Sequence, residues 1–228
     1  MAEPSGIDVV GIGPGDPRYL TVRGRELIAA ADCVAGFRSV LTVVAEHIRG
    51  EQLVLDYRTQ ADGLRTLAQR AAAGMRCVLC AHGDPSFPGS ELLALARQTC
   101  GPLRLVPGVS SVQIACARAG LAMEDTLFIT LHKRADLAGD REELRAAALA
   151  GRRHLIVLPR PWDVMPAALA RDLVHAGVPS DRAAIVYERL TLEGEAEWRY
   201  RLGDLAQETQ GFSDLSIVVI PRPGYTLR

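Results

Sequence analysis

Short β-rich runs alternate with longer stretches of helical spacing over the first 106 residues, and that alternation limits the fold more than any other feature. Asp8 to Ile12 reads as a strand, Val22 to Ala31 as a helix, and Asp32 to Ala35 as a second short strand. Leu64, Leu67, Ala68 and Ala71 recur at helical spacing within residues 63–73, and Arg76 to Ala81 is again a strand. Ser90 to Gln98 reads as a helix and Leu103 to Val106 as a strand. Strands separated by helices cannot pair through tight turns, so this order predicts a mainly parallel sheet covered by helices on both faces.

The second half starts in the same way and then changes. Ser111 to Ala119, Arg141 to Ala150 and Pro166 to Ala176 read as helices, and Leu127 to Leu131 and His154 to Leu158 as strands. Ala183 to Tyr187, Trp198 to Leu202 and Ser216 to Ile220 then follow as strands with little helix between them, which predicts hairpin pairing and a mixed sheet. The change of pattern after Pro107-Gly108 predicts two α/β domains, residues 1–108 and 109–228. Pro221 to Arg228 reads as a loose tail.

At 228 residues and 48% hydrophobic, the chain can bury a substantial core. A formal net charge of −1 gives no electrostatic footprint for nucleic acid. No stretch has the form of a signal peptide or reaches membrane-spanning length, so a soluble, cytoplasmic protein is expected. Five scattered cysteines suit a reducing compartment. Cys77 and Cys80 are spaced as C-x-x-C, but within a strand they point to opposite faces and cannot share a metal, so no metal site is expected. Lys133 is the one lysine among 26 basic residues. Genomic bias, visible also in the abundant alanine, accounts for that skew. It is also compatible with arginines that grip carboxylates bidentately.

Three loops after strands are richer in glycine and proline than packing requires, and open α/β sheets bind ligands at the carboxyl ends of their strands. The first, Gly11-Ile12-Gly13-Pro14-Gly15-Asp16, permits close backbone approach to a ligand. As a dinucleotide fingerprint it lacks the third glycine, where Asp16 stands. The acid expected at the end of the second strand is also missing, since Asp32 precedes that strand. The second loop is His82-Gly83-Asp84-Pro85-Ser86-Phe87-Pro88-Gly89, where the proline holds Asp84 extended and Phe87 offers an apolar wall. In the third, Pro107-Gly108-Val109-Ser110-Ser111, a serine can cap the helix that follows or meet a ligand.

G-x-G-P-G-D, then G-D-P with F-x-G, then P-G-V-S-S, in this order and at these separations, resemble the class III, or tetrapyrrole, methylase family over nearly the whole chain. Residues 36–41 (GFRSVL), Ser110 to Gln113, Glu124-Asp125, Thr130-Leu131-His132 and Phe212 to Ile220 are similar to its branch that methylates C5 of a corrin precursor in cobalamin biosynthesis.

The resemblance implies two α/β domains, S-adenosylmethionine in the cleft between them, and a homodimer. It places Pro14, His82, Gly83, Asp84, Phe87, Ser110 and Ser111 around the cofactor, with Leu158, Pro159 and Leu190 supplying later contacts. The glycine-rich loop (Gly13, Gly15, Asp16), Arg38 in a loop after the second strand, and His132 are the candidates on the tetrapyrrole side. Asp16 and His132 are also the candidate bases, and the catalytic residue stays open. In some bacteria such a domain is fused to a decarboxylating C15-methyltransferase. Residues 221–228 leave no room for one, so that partner is expected to be separate, or this chain to be one domain of a longer product. The competing expectations are a methylase of another position, such as on uroporphyrinogen III, a dinucleotide-binding oxidoreductase, and a non-enzymatic tetrapyrrole carrier.

Overall fold

A computed structural model describes residues 6–87 and 89–225; Pro88 of the second loop and residues 226–228 of the expected tail lie outside it. The chain divides into two compact units, Met1–Ser111 and Val112–Arg228.

The first unit is a five-stranded sheet in the order β3-β2-β4-β1-β5, parallel throughout. Its strands are β1 (Ile7–Gly11), β2 (Cys33–Phe37), β3 (Glu51–Leu55), β4 (Cys77–Ala81) and β5 (Leu103–Val106), and its helices are α1 (Val22–Ala30), α2 (Arg38–Val43), α3 (Gln60–Ala72) and α4 (Ser90–Cys100). Alternation within each strand sorts the apolar residues onto two faces. Val10, Val34, Val78 and Cys80 pack with Ile28 of α1 and Val40 and Leu41 of α2. Val9, Ala35, Cys77 and Leu79 pack with Leu64 and Leu67 of α3 and Leu93 and Ala96 of α4. Cys77 and Cys80 therefore lie on opposite faces of the sheet.

Two elements of this unit correct the reading from sequence. β3 was not anticipated, because it is an edge strand whose Glu51 and Gln52 face solvent and blur the apolar run. Arg38 is not in a loop: it opens α2, a six-residue helix that starts directly after β2 without a capping side chain, so the sequence carries no start signal. With β3 in place, the His82 loop follows the fourth strand rather than the third.

The second unit has a mixed sheet in the order β6-β7-β10-β8-β9, with β6 (Thr126–Thr130) and β7 (His154–Leu158) parallel. β8 (Ala183–Glu188), β9 (Ala196–Arg201) and β10 (Ser216–Ile220) join by antiparallel pairing. Helices α5 (Ser111–Ala119), α6 (Ala138–Ala150), α7 (Pro166–His175) and α8 (Leu202–Gln207) complete it. Leu144 and Ala148 of α6, Leu169 and Leu173 of α7, and Leu202 and Leu205 of α8 share one core with Leu155, Val157, Val186 and Val218.

Among the described residues, α8 is the one short helix after Ala183, where little helix was expected. Leu202, read from sequence as the end of a strand, is instead the first residue of that helix, which buries Leu202, Leu205 and Ala206. The described part of the expected loose tail is anchored. The Tyr225 hydroxyl donates to the Gly120 carbonyl at 2.6 Å, and the Tyr225 ring meets His154 edge-on at 4.5 Å. The Arg222 amide donates to His154 Nδ1 at 3.2 Å. Buried Arg182 donates to the Pro221 carbonyl at 3.0 Å.

Candidate functional site

Strand order places the three glycine-rich loops side by side. They follow β1, β4 and β5, and β4-β1-β5 are consecutive in the sheet. The connections diverge here, since the chain leaves β1 toward β2 on one side and reaches β5 from β4 on the other. This switch point is where open α/β sheets form a ligand crevice.

The loops are joined through their backbones. Gly13 and Gly83 exchange amide–carbonyl hydrogen bonds of 3.2 and 2.9 Å, and the Ile12 amide donates to the Ala81 carbonyl at 3.0 Å. A Cβ on Gly11 would stand 2.5 Å from the Gly83 carbonyl oxygen and 2.7 Å from the Gly108 nitrogen. A Cβ on Gly108 would overlap the same Gly83 oxygen. Glycine is required at both places because backbone meets backbone.

Asp84 completes the junction. Its Oδ1 accepts from the Ser86 amide at 2.7 Å and its Oδ2 from the Gly108 amide at 3.0 Å. The Phe87 amide donates to the Asp84 carbonyl at 2.9 Å, closing a turn with buried Pro85 in its second position. Both carboxylate oxygens thus serve the protein itself and lock the second loop to the third. Phe87 is half-buried beside them, Ser110 is buried, and Ser111 is the first residue of α5.

On the first loop, Gly13 takes a left-handed φ of +89° and Pro14 is half-exposed. Asp16 caps the short 3-10 helix Pro17–Tyr19 and accepts from Arg18 Nε and Nη2 at 2.8 and 2.5 Å. These hydrogen bonds hold its carboxyl below the usual carboxylate range, which weakens Asp16 as a base.

His82 differs from both acids. It keeps solvent access, yet the surrounding protein disfavours the imidazolium and lowers its pKa. Ser39 Oγ, one residue beyond Arg38 on α2, lies 3.1 Å from His82 Nε2. Sequence reasoning missed this pair, because a serine inside an unanticipated helix carries no signal of its partner.

No acid stands at the carboxyl end of β2, where Phe37 stacks on Tyr57 at 4.2 Å and Arg38 follows. Asp32 is at the opposite edge of the sheet, paired with Arg76 Nη2 at 2.9 Å, and this contact lowers its pKa to about 2. The first loop therefore lacks the ribose partner that a dinucleotide site needs.

The remaining candidates belong to the second unit. β10 runs antiparallel to both β7 and β8, so the carboxyl ends of β6, β7 and β8 share one edge. His132, Leu158, Pro159 and Leu190 all lie there. The Leu131 amide donates to the Leu158 carbonyl at 2.9 Å, and Leu158 and Pro159 are buried. The His132 ring centroid is 6.5 Å from that of exposed Trp162, over which the Arg160 guanidinium lies at 5.6 Å. Leu190 is buried between Arg189 (φ +53°) and Thr191 (φ +68°), two non-glycine residues in the left-handed region. Such strain gathers at ligand sites. Three residues before Leu190, the Tyr187 hydroxyl is buried without a hydrogen-bond partner among the described residues, and burial pushes its pKa up to about 12.

Comparison with known proteins gives the family and the fold. Residues 7–206 match the model of the tetrapyrrole (corrin/porphyrin) methylases. A probable cobalt-precorrin-7 C(5)-methyltransferase of Methanocaldococcus jannaschii is 29% identical over 220 residues, covering 93% of this chain and 96% of the relative. Siroheme synthase 1 of Yersinia enterocolitica is 33% identical over 221 residues, which is 88% of this chain. The chain spans less than half of that protein's length, 44%. The uroporphyrin-III C-methyltransferase of Thermus thermophilus, solved with S-adenosylhomocysteine, shares the fold with a TM-score of 0.74. It is 24% identical, and the match covers 95% of this chain and 97% of that one.

Proposed function

The chain belongs to the tetrapyrrole methylases, and from that membership we propose that it methylates C5 of a corrin precursor in cobalamin biosynthesis. It is a methyltransferase with S-adenosylmethionine as donor and a tetrapyrrole as acceptor. The observation that carries the finer reading is the match, across nearly the whole of both chains, to a relative named for C5 methylation.

The residues present fit the donor. Its sulfonium is a cation, and the acids of the three glycine-rich loops are Asp16 and Asp84, both engaged by hydrogen bonds. The Pro14 loop, the backbone at His82, Gly83 and Asp84, the Phe87 ring, and Ser110 and Ser111 are the proposed contacts there. Leu158, Pro159 and Leu190 are those of the second unit. The strained residues flanking Leu190 and the orphan Tyr187 hydroxyl support this assignment.

When bound, the donor supplies a methyl group on a leaving thioether that needs no proton. The chain's own part is alignment, and well-oriented reactants can gain up to about 7–11 kcal/mol in this way. Asp84 serves by fixing the two loops that present their backbones. Arg38 is proposed to pair with an acceptor carboxylate, helped by its place at the start of α2 on the strand next to β4. Gly13, Gly15 and Asp16 border the acceptor in the first unit, and His132 is proposed to do so in the second.

The proposal extends to a cytoplasmic homodimer. Among the described residues, no helix is long and apolar enough to cross a membrane.

Calorimetry with S-adenosylhomocysteine, with NAD as control, tests the donor site. Single-turnover assays with precorrin-6B, cobalt-precorrin-7 and uroporphyrinogen III then test the acceptor. Methylation of a corrin precursor alone supports the C5 reading once the product's position is mapped by NMR. Methylation of uroporphyrinogen III would establish the second reading, which the similarity to siroheme synthases and to the uroporphyrin-III enzyme favours.

A further inference from the structure

Attack of an electron-rich ring carbon on a sulfonium methyl leaves the macrocycle one unit more positive. Neutrality returns when a C–H or N–H bond of the methylated macrocycle breaks. The electron pair stays in the π system and the proton goes to an acceptor. That acceptor must be unprotonated near neutral pH, keep a free lone pair, and pass the proton on to water.

The candidates on the three glycine-rich loops are Asp16, Asp84 and His82. Asp16 is held by the Arg18 amide and guanidinium, which suppress its basicity. Asp84 spends both oxygens on the amides of Ser86 and Gly108. His82 spends one ring nitrogen, Nε2, on Ser39; among the described residues its Nδ1 makes no hydrogen bond. The ring keeps contact with solvent, which gives the proton an exit.

We propose that His82 Nδ1 accepts the proton released after methyl transfer, and that Ser39 is the positioning residue that fixes its tautomer and orientation. The proposal rests on the methyltransferase reading above. For Nδ1 to act as a base, Nε2 must carry the hydrogen and donate it to Ser39 Oγ, and the 3.1 Å contact permits this. Burial alone shifts the ring's affinity for protons, and it does so toward the neutral form. The charged side chains on the neighbouring segments are Arg38 on α2, Asp84 on its own loop, and Asp16 and Arg18 after β1. After each turnover the imidazolium returns its proton to solvent.

The experiment combines histidine-selective 15N NMR titration with single-turnover rates against pH, using precorrin-6B and cobalt-precorrin-7 as acceptors. In the wild type, the rate should fall on the acid side with the same midpoint at which His82 titrates. His82→Gln should keep S-adenosylhomocysteine affinity within about twofold, lose roughly 10²-fold or more in rate, and abolish that acid limb. Ser39→Ala should cost about tenfold in rate with the acceptor KM unchanged, and shift the His82 resonances toward the other tautomer. Added imidazole should restore part of the rate to His82→Ala. A His82→Gln enzyme as fast as the wild type, or one whose cofactor affinity falls as far as its rate, would overturn the proposal and leave the methyltransferase reading intact. A wild type that binds none of the homocysteine compound, or binds it but methylates none of precorrin-6B, cobalt-precorrin-7 and uroporphyrinogen III, would overturn both.

Discussion

The two edges of the parallel sheet are built from the same strands by opposite means. At the carboxyl edge, Gly11, Gly83 and Gly108 bring three backbones into contact, and the Asp84 carboxylate is spent on amides. At the amino edge, side chains pair across exposed ground: Asp8 with Arg104 at 2.8 Å and Asp32 with Arg76 at 2.9 Å. Asp8, Arg76 and Arg104 border a recess of about 210 Å³ lined in part by Leu27, Ala31 and Met75. Exposed pairs are screened by water and hold their partners loosely, whereas backbone contact without room for a Cβ sets loop positions to within a few tenths of an ångström. The difference teaches where rigidity is needed, because alignment of reactants is what a methyl transferase fold has to supply.

The sharpest way to break the contrast is to add a side chain at the carboxyl edge. Gly11→Val or Gly108→Val drives carbon into backbone that cannot rotate away, and should cost about 3 kcal/mol or more, measured by urea unfolding. Asp84→Ala leaves the Ser86 and Gly108 amides without their acceptor. It should cost about 1–3 kcal/mol, with weaker S-adenosylhomocysteine binding in calorimetry. If stability falls while affinity holds, the loop junction is structural only.

Arg38→Ala sharpens the comparison from the acceptor's side. The KM for the corrin precursor should rise about tenfold with cofactor affinity unchanged, the loss expected for a charge-assisted hydrogen bond. Equal effects on both ligands would remove the carboxylate role.

Asp32→Asn at the amino edge should have the smallest effect, leaving cofactor binding and turnover as they are. Its signature is in pH. The Arg76 pair lowers the folded pKa to about 2, so the pair's contribution is present above the ordinary carboxylate value near 4 and is lost as pH falls through about 2. Acid titration of stability in that window should flatten in the variant. His82 has the opposite chemistry and the same sign. Its folded pKa is lowered by burial, so the unfolded chain binds more protons, and stability should decline as pH drops below about 6.5.

Much of the fold was legible because local periodicity survives without tertiary context. β5, β7, β10 and α5 begin and end where the alternation of residues predicts, and the glycine-proline loops stand after strand ends. The elements that escaped are those whose stability comes from neighbours. β3 is a half-polar edge that needs β2 beside it, and α2 and α8 are six-residue helices too short to announce themselves by spacing. The tail was misread for the same reason, since Tyr225 and Arg222 find their partners at Gly120 and His154, far away in sequence.

By itself, the sequence determined the parallel first sheet, the mixed second one, and three loops whose glycines demand close approach. These follow from the conformational limits of single residues and from the two-residue repeat of a strand. Tertiary structure alone decided that the loops fall on neighbouring strands β4, β1 and β5, that Asp84 faces inward to amides, and that Ser39 meets His82. Strand order and cross-loop contacts depend on which distant surfaces bury one another, and no local pattern encodes that choice.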